Sequence, residues 1–370
     1  MPSNISAFSF IIRATVAHKL LTFYLDPYSI KTKLGFTVSY LFMKTYLQKR
    51  VEGLTLSKTE AQEALGKIAN GEVNNSHIAA FLTSYMMKPI TAEELEGFRD
   101  AMLDVALTVD LSAFSPMDVC GTGGDGKDTF NISTTSSFVV AGAGQFVAKH
   151  GNHGVSSSVG SSTVLEYLGV KFSNDEAYLK SKIEEAGICF LHAPLFHPAM
   201  RFVGPIRKEL GMKTFFNMLG PLLNPAKVTK QITGVYNQEI FHLYSSLLEK
   251  SEDNLGVLYG LDGYDEISLT GDFLLSTTRG QETISPEQLG FTKCKQEELS
   301  GGSTVEESAK ILIDVLNNKG TKAQTEVILA NAAIALYCAD NKLSLSDAVL
   351  KAKESLESGK AFECFNKFIS

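Results

Sequence analysis

From Met43 to about Asp110, apolar residues recur at helical spacing. Ile78, Ala79, Phe81, Leu82, Tyr85 and Met86 mark one face that needs burial. Ser57-Lys-Thr-Glu60 and Thr91-Ala-Glu-Glu94 carry the S/T-x-x-E pattern, in which hydroxyl and carboxylate satisfy free backbone amides at a helix start. Asn70-Gly71 and Pro89 separate the helices. Past Ser115-Pro116 the texture changes to short apolar strands alternating with helices, which predicts a mainly parallel sheet. Strands are expected at Met117–Cys120, Gln145–Ala148, Ile188–His192 and Leu255–Tyr259. Helices are expected at Ser133–Gly142, Ser162–Leu168, Glu176–Ala186 and Glu239–Lys250, with Ser173-Asn-Asp-Glu176 as a third capping box. Beyond Gly320 the pattern is helical again, through Ala330–Tyr337 and the amphipathic Ser344–Glu357. The expected fold class is α/β. A large domain, 113–370, has a mainly parallel central sheet flanked by helices. A small all-helical N-terminal domain, 43–112, is joined by part of 200–230.

Residues 1–42 do not continue this pattern. They are rich in Phe, Tyr and Ile, with Arg13, Lys19, Lys31 and Lys33 against the single acid Asp26. No positive charge precedes the short apolar run Phe8–Ile12, so a signal peptide fits poorly, and Arg13 and Lys19 interrupt it before a membrane span is reached. The segment reads either as sequence upstream of a true start at Met43 or as an interfacial or partner-binding extension. The net charge of −7 argues against general nucleic-acid affinity. Cysteines 120, 189, 294, 338 and 364 lie far apart with no CxxC pair, which predicts free thiols in a reducing, cytoplasmic compartment.

Candidate chemistry gathers after the strands. Asp118 to Thr134 holds four glycines between Gly121 and Gly126, then Thr129, Asn131, Ser133 and Thr134 where a helix should begin. Glycine lets backbone approach a ligand, and unpaired amides at a helix start favour an anion. The stretch is neither GxxxxGK[ST] nor GxGxxG, so it predicts a phosphate cradle for another kind of ligand. A second loop, Lys149 to Ser161, offers a cation, Gly151 and Gly154, and serine donors. Arg207 suits a carboxylate. Adjacent Asp265 and Glu266 suit Mg²⁺, which takes one or two carboxylates beside substrate phosphates.

Four segments, GTGGDG…TFNIST, KHGN…VSS…GS…VLEYLGV, HPAM…IRKELG…FFN.LGPLLNPA and DGYDEIS, together resemble the anthranilate phosphoribosyltransferase family, in its order and spacing, from about Met43 to the C-terminus. The resemblance implies a nucleoside phosphorylase/phosphoribosyltransferase-like fold and a homodimer formed through helical domains. It also implies Mg²⁺-dependent transfer of phosphoribose from phosphoribosyl pyrophosphate to anthranilate, with no nucleic acid and no membrane span involved. By motif match, phosphoribosyl pyrophosphate would be surrounded by Gly121, Gly124, Asp125, Thr129, Asn131, Ile132, Ser133, Thr134, Lys149, His150, Gly151, Asn152, His153, Gly154, Val155, Ser156, Ser157 and Ser161. Gly121, Asn152 and Arg207 would hold anthranilate, with His197 near the mouth through which it arrives, and Ser133, Asp265 and Glu266 would serve the metal. Asp125 would reach a ribose hydroxyl, order the loop, or meet phosphate through metal and water, since like charges repel. No residue is assigned as acid or base, because the anthranilate amine is already neutral at pH 7.

The sequence departs from the family pattern at His153-Gly154, where Arg-Ser is usual, at Ser162-Thr163, where Ala-Asp is usual, and in residues 1–42. Two other readings remain open at this point: a pyrimidine nucleoside phosphorylase, and a non-catalytic relative that binds nucleic acid.

Overall fold

The computed structural model describes residues 43–154, 159–249, 251 and 253–370. The N-terminal extension lies outside these residues, as do Val155, Ser156 and Ser157. The N-terminal part is helical, with residues 43–51 followed by Lys58–Ala69, Asn75–Met87 and Ala92–Asp104. The capping boxes at Ser57/Glu60 and Thr91/Glu94 both form, each hydroxyl accepting an amide and each carboxylate returning the favour. Gly97 lets two of these helices cross closely: a Cβ there would stand 2.3 Å from the Lys58 carbonyl oxygen. Phe81, Tyr85 and Phe98 build an aromatic core that Phe215 completes by stacking on Phe98 at 4.4 Å between centroids. The helix Met200–Leu210 joins the same core through Val203 and Ile206, so the later segment returns to the bundle.

Glu94 is fully buried and anchors this bundle. Its Oε1 accepts from Arg50 Nη1 (3.1 Å), Leu56 N (2.9 Å) and Tyr85 Oη (2.9 Å), and Oε2 accepts from Thr91 N (2.9 Å). Glu94→Gln would replace one acceptor by an amide that faces another donor. The expected loss is about 2 kcal/mol of stability, read as a lower urea midpoint.

The second part is a seven-stranded sheet in the order β3-β2-β1-β4-β5-β6-β7. Its strands are β1 (Met117–Gly121), β2 (Val147–Gly151), β3 (Ile188–His192), β4 (Lys230–Gly234), β5 (Asn254–Gly260), β6 (Phe273–Thr277) and β7 (Gly280–Ile284). The first five are parallel, and β6 and β7 add an antiparallel edge. The chain order reverses between the neighbours β1 and β4, and the crevice beyond such a reversal is where open α/β sheets bind ligands.

The observed sheet corrects the expected one. β4, β6 and β7 are additional, and β2 starts at Val147 and runs on through Lys149 and His150, which are buried. The box expected at Ser173/Glu176 does not form. Asp175 caps that helix, accepting from Tyr178 N at 2.7 Å, while Ser173 Oγ accepts from Asp175 N. The Asp175 carboxylate, two residues nearer the helix than Ser173, wins the cap. Among the described residues no helix is long and apolar enough to cross a membrane.

Candidate active site

At the carboxyl ends of β1 and β2 lies a cavity of about 310 Å³. Gly121 and Gly234 end neighbouring strands in register, and both are pressed by Asp265, which follows β5. A Cβ on Gly121 would fall 2.5 Å from Asp265 Oδ2, and one on Gly234 only 1.5 Å from the Asp265 carbonyl oxygen. These two glycines therefore admit the carboxylate to the floor of the cavity.

The glycine loop is held from several sides. Gly123 N donates to Asp265 Oδ2 at 2.6 Å, Thr122 N to the Gly234 carbonyl at 2.9 Å, and Lys127 N to Asp125 Oδ1 at 3.0 Å. Glu266 Oε1 accepts from Ser133 N at 2.9 Å, at the start of the helix Ile132–Gly142. Asn331, on the long buried helix Lys322–Ala339, pins the backbone of Ile267 at both its amide (3.0 Å) and its carbonyl (2.8 Å), which fixes the acidic pair before it.

Asp125, Asp265 and Glu266 are thus gathered with little water around them. Burial, then the charges of Glu266 and Asp125, hold the Asp265 carboxyl well above its ordinary range. Burial likewise raises Asp125, and pushes Glu266 up to about 7. Such a cluster holds on to protons until a cation's charge replaces them. Among the described residues no three His, Cys, Asp or Glu side chains close into a metal cage.

Lys149 is buried at the other wall, donating to the Val119 carbonyl at 2.6 Å and to Ser133 Oγ at 3.3 Å. Beneath it Asp118 accepts from His150 N (3.1 Å) and from Asn224 Nδ2 (2.9 Å), and so ties β1 to β2 and to the segment after Pro221. Burial pushes the His150 imidazole down to about 3 and that of His197 to about 4, so both stay neutral. Among the described residues, His150 Nε2 and the hydroxyls of Thr122 and Thr134 are buried along the cavity without a partner, as in a site built for a polar ligand.

The cavity wall includes Gly121, Gly124, Asp125, Thr129, Asn131, Ser133, Thr134, the run Lys149–Gly154, Ser161, His197, Arg207, Asp265 and Glu266. Ile132 does not line the cavity with its side chain, which is fully buried in the hydrophobic core, so it can serve the loop only through its backbone. Arg207 stands opposite the glycine loop. It donates to Asn217 Oδ1 at 3.3 Å and lies 5.3 Å from the Phe216 ring centre, leaving guanidinium donors for a ligand.

The two internal departures from the family pattern meet in space. His153 Nδ1 is 3.3 Å from Thr163 Oγ1 and 3.8 Å from Glu166, while Ser162 Oγ bonds His192 Nδ1 at 2.9 Å. Asp118, Asn217, Asn224, His192 and Lys213 carry no local sequence signal of their role, because they act on other residues of the site.

Residues 115–362 match the glycosyl transferase family, a/b domain, and residues 44–106 match the glycosyl transferase family, helical bundle domain. The chain is 54% identical over 327 residues to the anthranilate phosphoribosyltransferase of Cytophaga hutchinsonii, covering 88% of this chain and all of that one. It is 46% identical to that of Bacteroides thetaiotaomicron, over 88% of this chain and 98% of the relative. The crystal structure of the Thermus thermophilus anthranilate phosphoribosyltransferase superposes with a TM-score of 0.82 at 34% identity, over 88% and 98% of the two chains. The Saccharomyces cerevisiae enzyme in complex with phosphoribosyl pyrophosphate and Mg gives 0.81 at 29%, over 88% and 96%.

Proposed function

The chain belongs to the anthranilate phosphoribosyltransferases of the glycosyl transferase family, and on that premise we propose how its cavity carries the reaction. The protein transfers the phosphoribosyl group of phosphoribosyl pyrophosphate to the amine of anthranilate, releasing pyrophosphate, in tryptophan biosynthesis. The observation that carries the site assignment is the placing of Asp265 and Glu266 on the glycine loop, across one cavity from Arg207.

The glycine loop, the start of the helix Ile132–Gly142 and Lys149 hold the phosphates. Ser133, Asp265 and Glu266 would hold Mg²⁺, whose charge would offset that of the departing pyrophosphate. Arg207 takes the anthranilate carboxylate, with Gly121 and Asn152 beside the ring and neutral His150 and His197 along the wall. No side chain need remove a proton before attack. The chain contributes by bringing the amine up to the anomeric carbon, excluding water and placing donors for the charge that leaves. Closure of the helical part (43–112 with part of 200–230) over the α/β part (113–370) would complete the enclosure.

The test is the decay of anthranilate fluorescence after addition of phosphoribosyl pyrophosphate with Mg²⁺. No decay with both substrates and metal present would sink the proposal. Arg207→Ala should raise the KM for anthranilate about tenfold or more, as loss of a charge-assisted contact does, with less effect on the KM for phosphoribosyl pyrophosphate. An unchanged anthranilate KM would remove Arg207 from the site. A second copy of the chain is proposed to cover the apolar side chains Val51, Leu54, Met86 and Met87, which are exposed on the helical part. Sedimentation should then report twice the chain mass of 40.2 kDa, and a monomer at micromolar concentration would contradict it.

A further inference from the structure

The glycine loop has little conformation of its own. Gly123, Gly124 and Gly126 take φ of 67°, 86° and 72°, so its shape depends on what grips it. Most of its ties come from the α/β part, but one comes from the segment that follows the helix Met200–Leu210. Lys213 Nζ donates to the Gly124 carbonyl, and the same ammonium lies 4.9 Å from the centre of the Tyr236 ring, just past β4. From Lys213 the connection continues the other way. The next amide, Thr214 N, donates to Asn217 Oδ1 at 3.1 Å, and that same oxygen receives Arg207 Nη2 at 3.3 Å. Phe215 and Phe216 anchor the segment in the helical core. A continuous run, Arg207–Asn217–Thr214–Lys213–Gly124, therefore joins the guanidinium on one wall to the phosphate loop on the other.

We propose that Lys213 is a positioning residue that couples the two substrate sites, so that filling the glycine loop orients Arg207 for the carboxylate of the second substrate. The proposal rests on the assignment of Arg207 to anthranilate. Lys213 touches neither substrate. It holds the Gly124 carbonyl away from the phosphates and transmits the loop's position to Asn217. Coupling of this kind is reciprocal, so each ligand should tighten the other by the same factor.

The experiment titrates anthranilate fluorescence on the full chain, alone and with pyrophosphate and Mg²⁺ filling the loop without reaction. In the parental protein the filled loop should tighten anthranilate by about fivefold or more, the lower end of usual coupling factors. Lys213→Met should bring that ratio close to one, and Lys213→Arg, which keeps a donor and a cation, should retain it. A purely structural role would weaken both titrations alike and leave the ratio intact. A ratio preserved in Lys213→Met, or a parental ratio of one, overturns the proposal. If Arg207→Ala weakens anthranilate while Lys213→Met keeps the ratio, only the coupling falls. If Arg207→Ala binds anthranilate like the parent, the carboxylate assignment falls, and the coupling with it.

Discussion

With Asp265 and Glu266 both replaced by Ala, magnesium-dependent turnover is expected to fall by about a thousandfold or more. Each carboxylate has two tasks in the geometry described above. Asp265 Oδ2 receives Gly123 N and Glu266 Oε1 receives Ser133 N, so the pair shapes the phosphate cradle as well as offering oxygens to a cation. Removing one preorganised electrostatic partner from a water-poor site commonly costs 10²- to 10³-fold, and here two are lost together. The fold itself should tolerate the change. Burial pushes both carboxyls up, with the charges of Glu266 and Asp125 adding at Asp265 and that of Asp125 at Glu266, so their charged forms oppose folding in the absence of a cation. Melting within a few degrees of the parent, alongside lost turnover, separates chemistry from stability. Retained turnover with its magnesium dependence would refute the metal assignment.

Gly234→Ala should damage both stability and turnover. The new Cβ would lie 1.5 Å from the Asp265 carbonyl oxygen and 2.6 Å from its carbon, both backbone atoms. No rotamer relieves this contact, so β4 must separate from the segment after β5. Overpacking of this kind costs about 3 kcal/mol, and a shift of about 1 Å at the reacting centre costs roughly 10²-fold in rate. Gly66→Ala is the control. It sits in the helix Lys58–Ala69 with nothing within 4 Å of its Cβ position, and should be neutral or slightly stabilising. Parental activity in Gly234→Ala would show that the acidic pair does not depend on this close approach.

What the sequence disclosed follows from how locally each feature is encoded. The strand Ile188–His192 and the helix Glu176–Ala186 match expectation at both ends, because their apolar pattern and flanking residues are self-contained. β4 was hidden because Lys230-Gln-Ile-Thr-Gly offers one large apolar residue. Its polar side chains are matched by partners outside the strand, Lys230 by Gln145 at 3.1 Å and Gln231 by the Pro221 carbonyl at 2.6 Å. β7 was hidden because four of its five residues face solvent. The hairpin it forms with β6 is held by Arg279, which donates to the carbonyls of Tyr337 and Leu343 at 2.8 Å each.

The same division holds in the site. The residues that line the cavity lie in contiguous motifs, whereas Asp118, Asn224 and Lys213 bind partners distant in sequence. Ile132 was drawn in by its neighbours, although its side chain points into the core.

One cavity, floored by Gly121 to Thr134 and closed by Asp265 and Glu266, is proposed to hold phosphoribosyl pyrophosphate with its cation. A crystal of the full chain grown with phosphoribosyl pyrophosphate and Mn²⁺, the metal located by anomalous scattering, is the decisive experiment. An anomalous peak is expected between the Asp265–Glu266 carboxylates and the pyrophosphate, with phosphate oxygens on the amides of the glycine loop. A metal peak remote from these two side chains, or a pyrophosphate bound outside the loop, would contradict it.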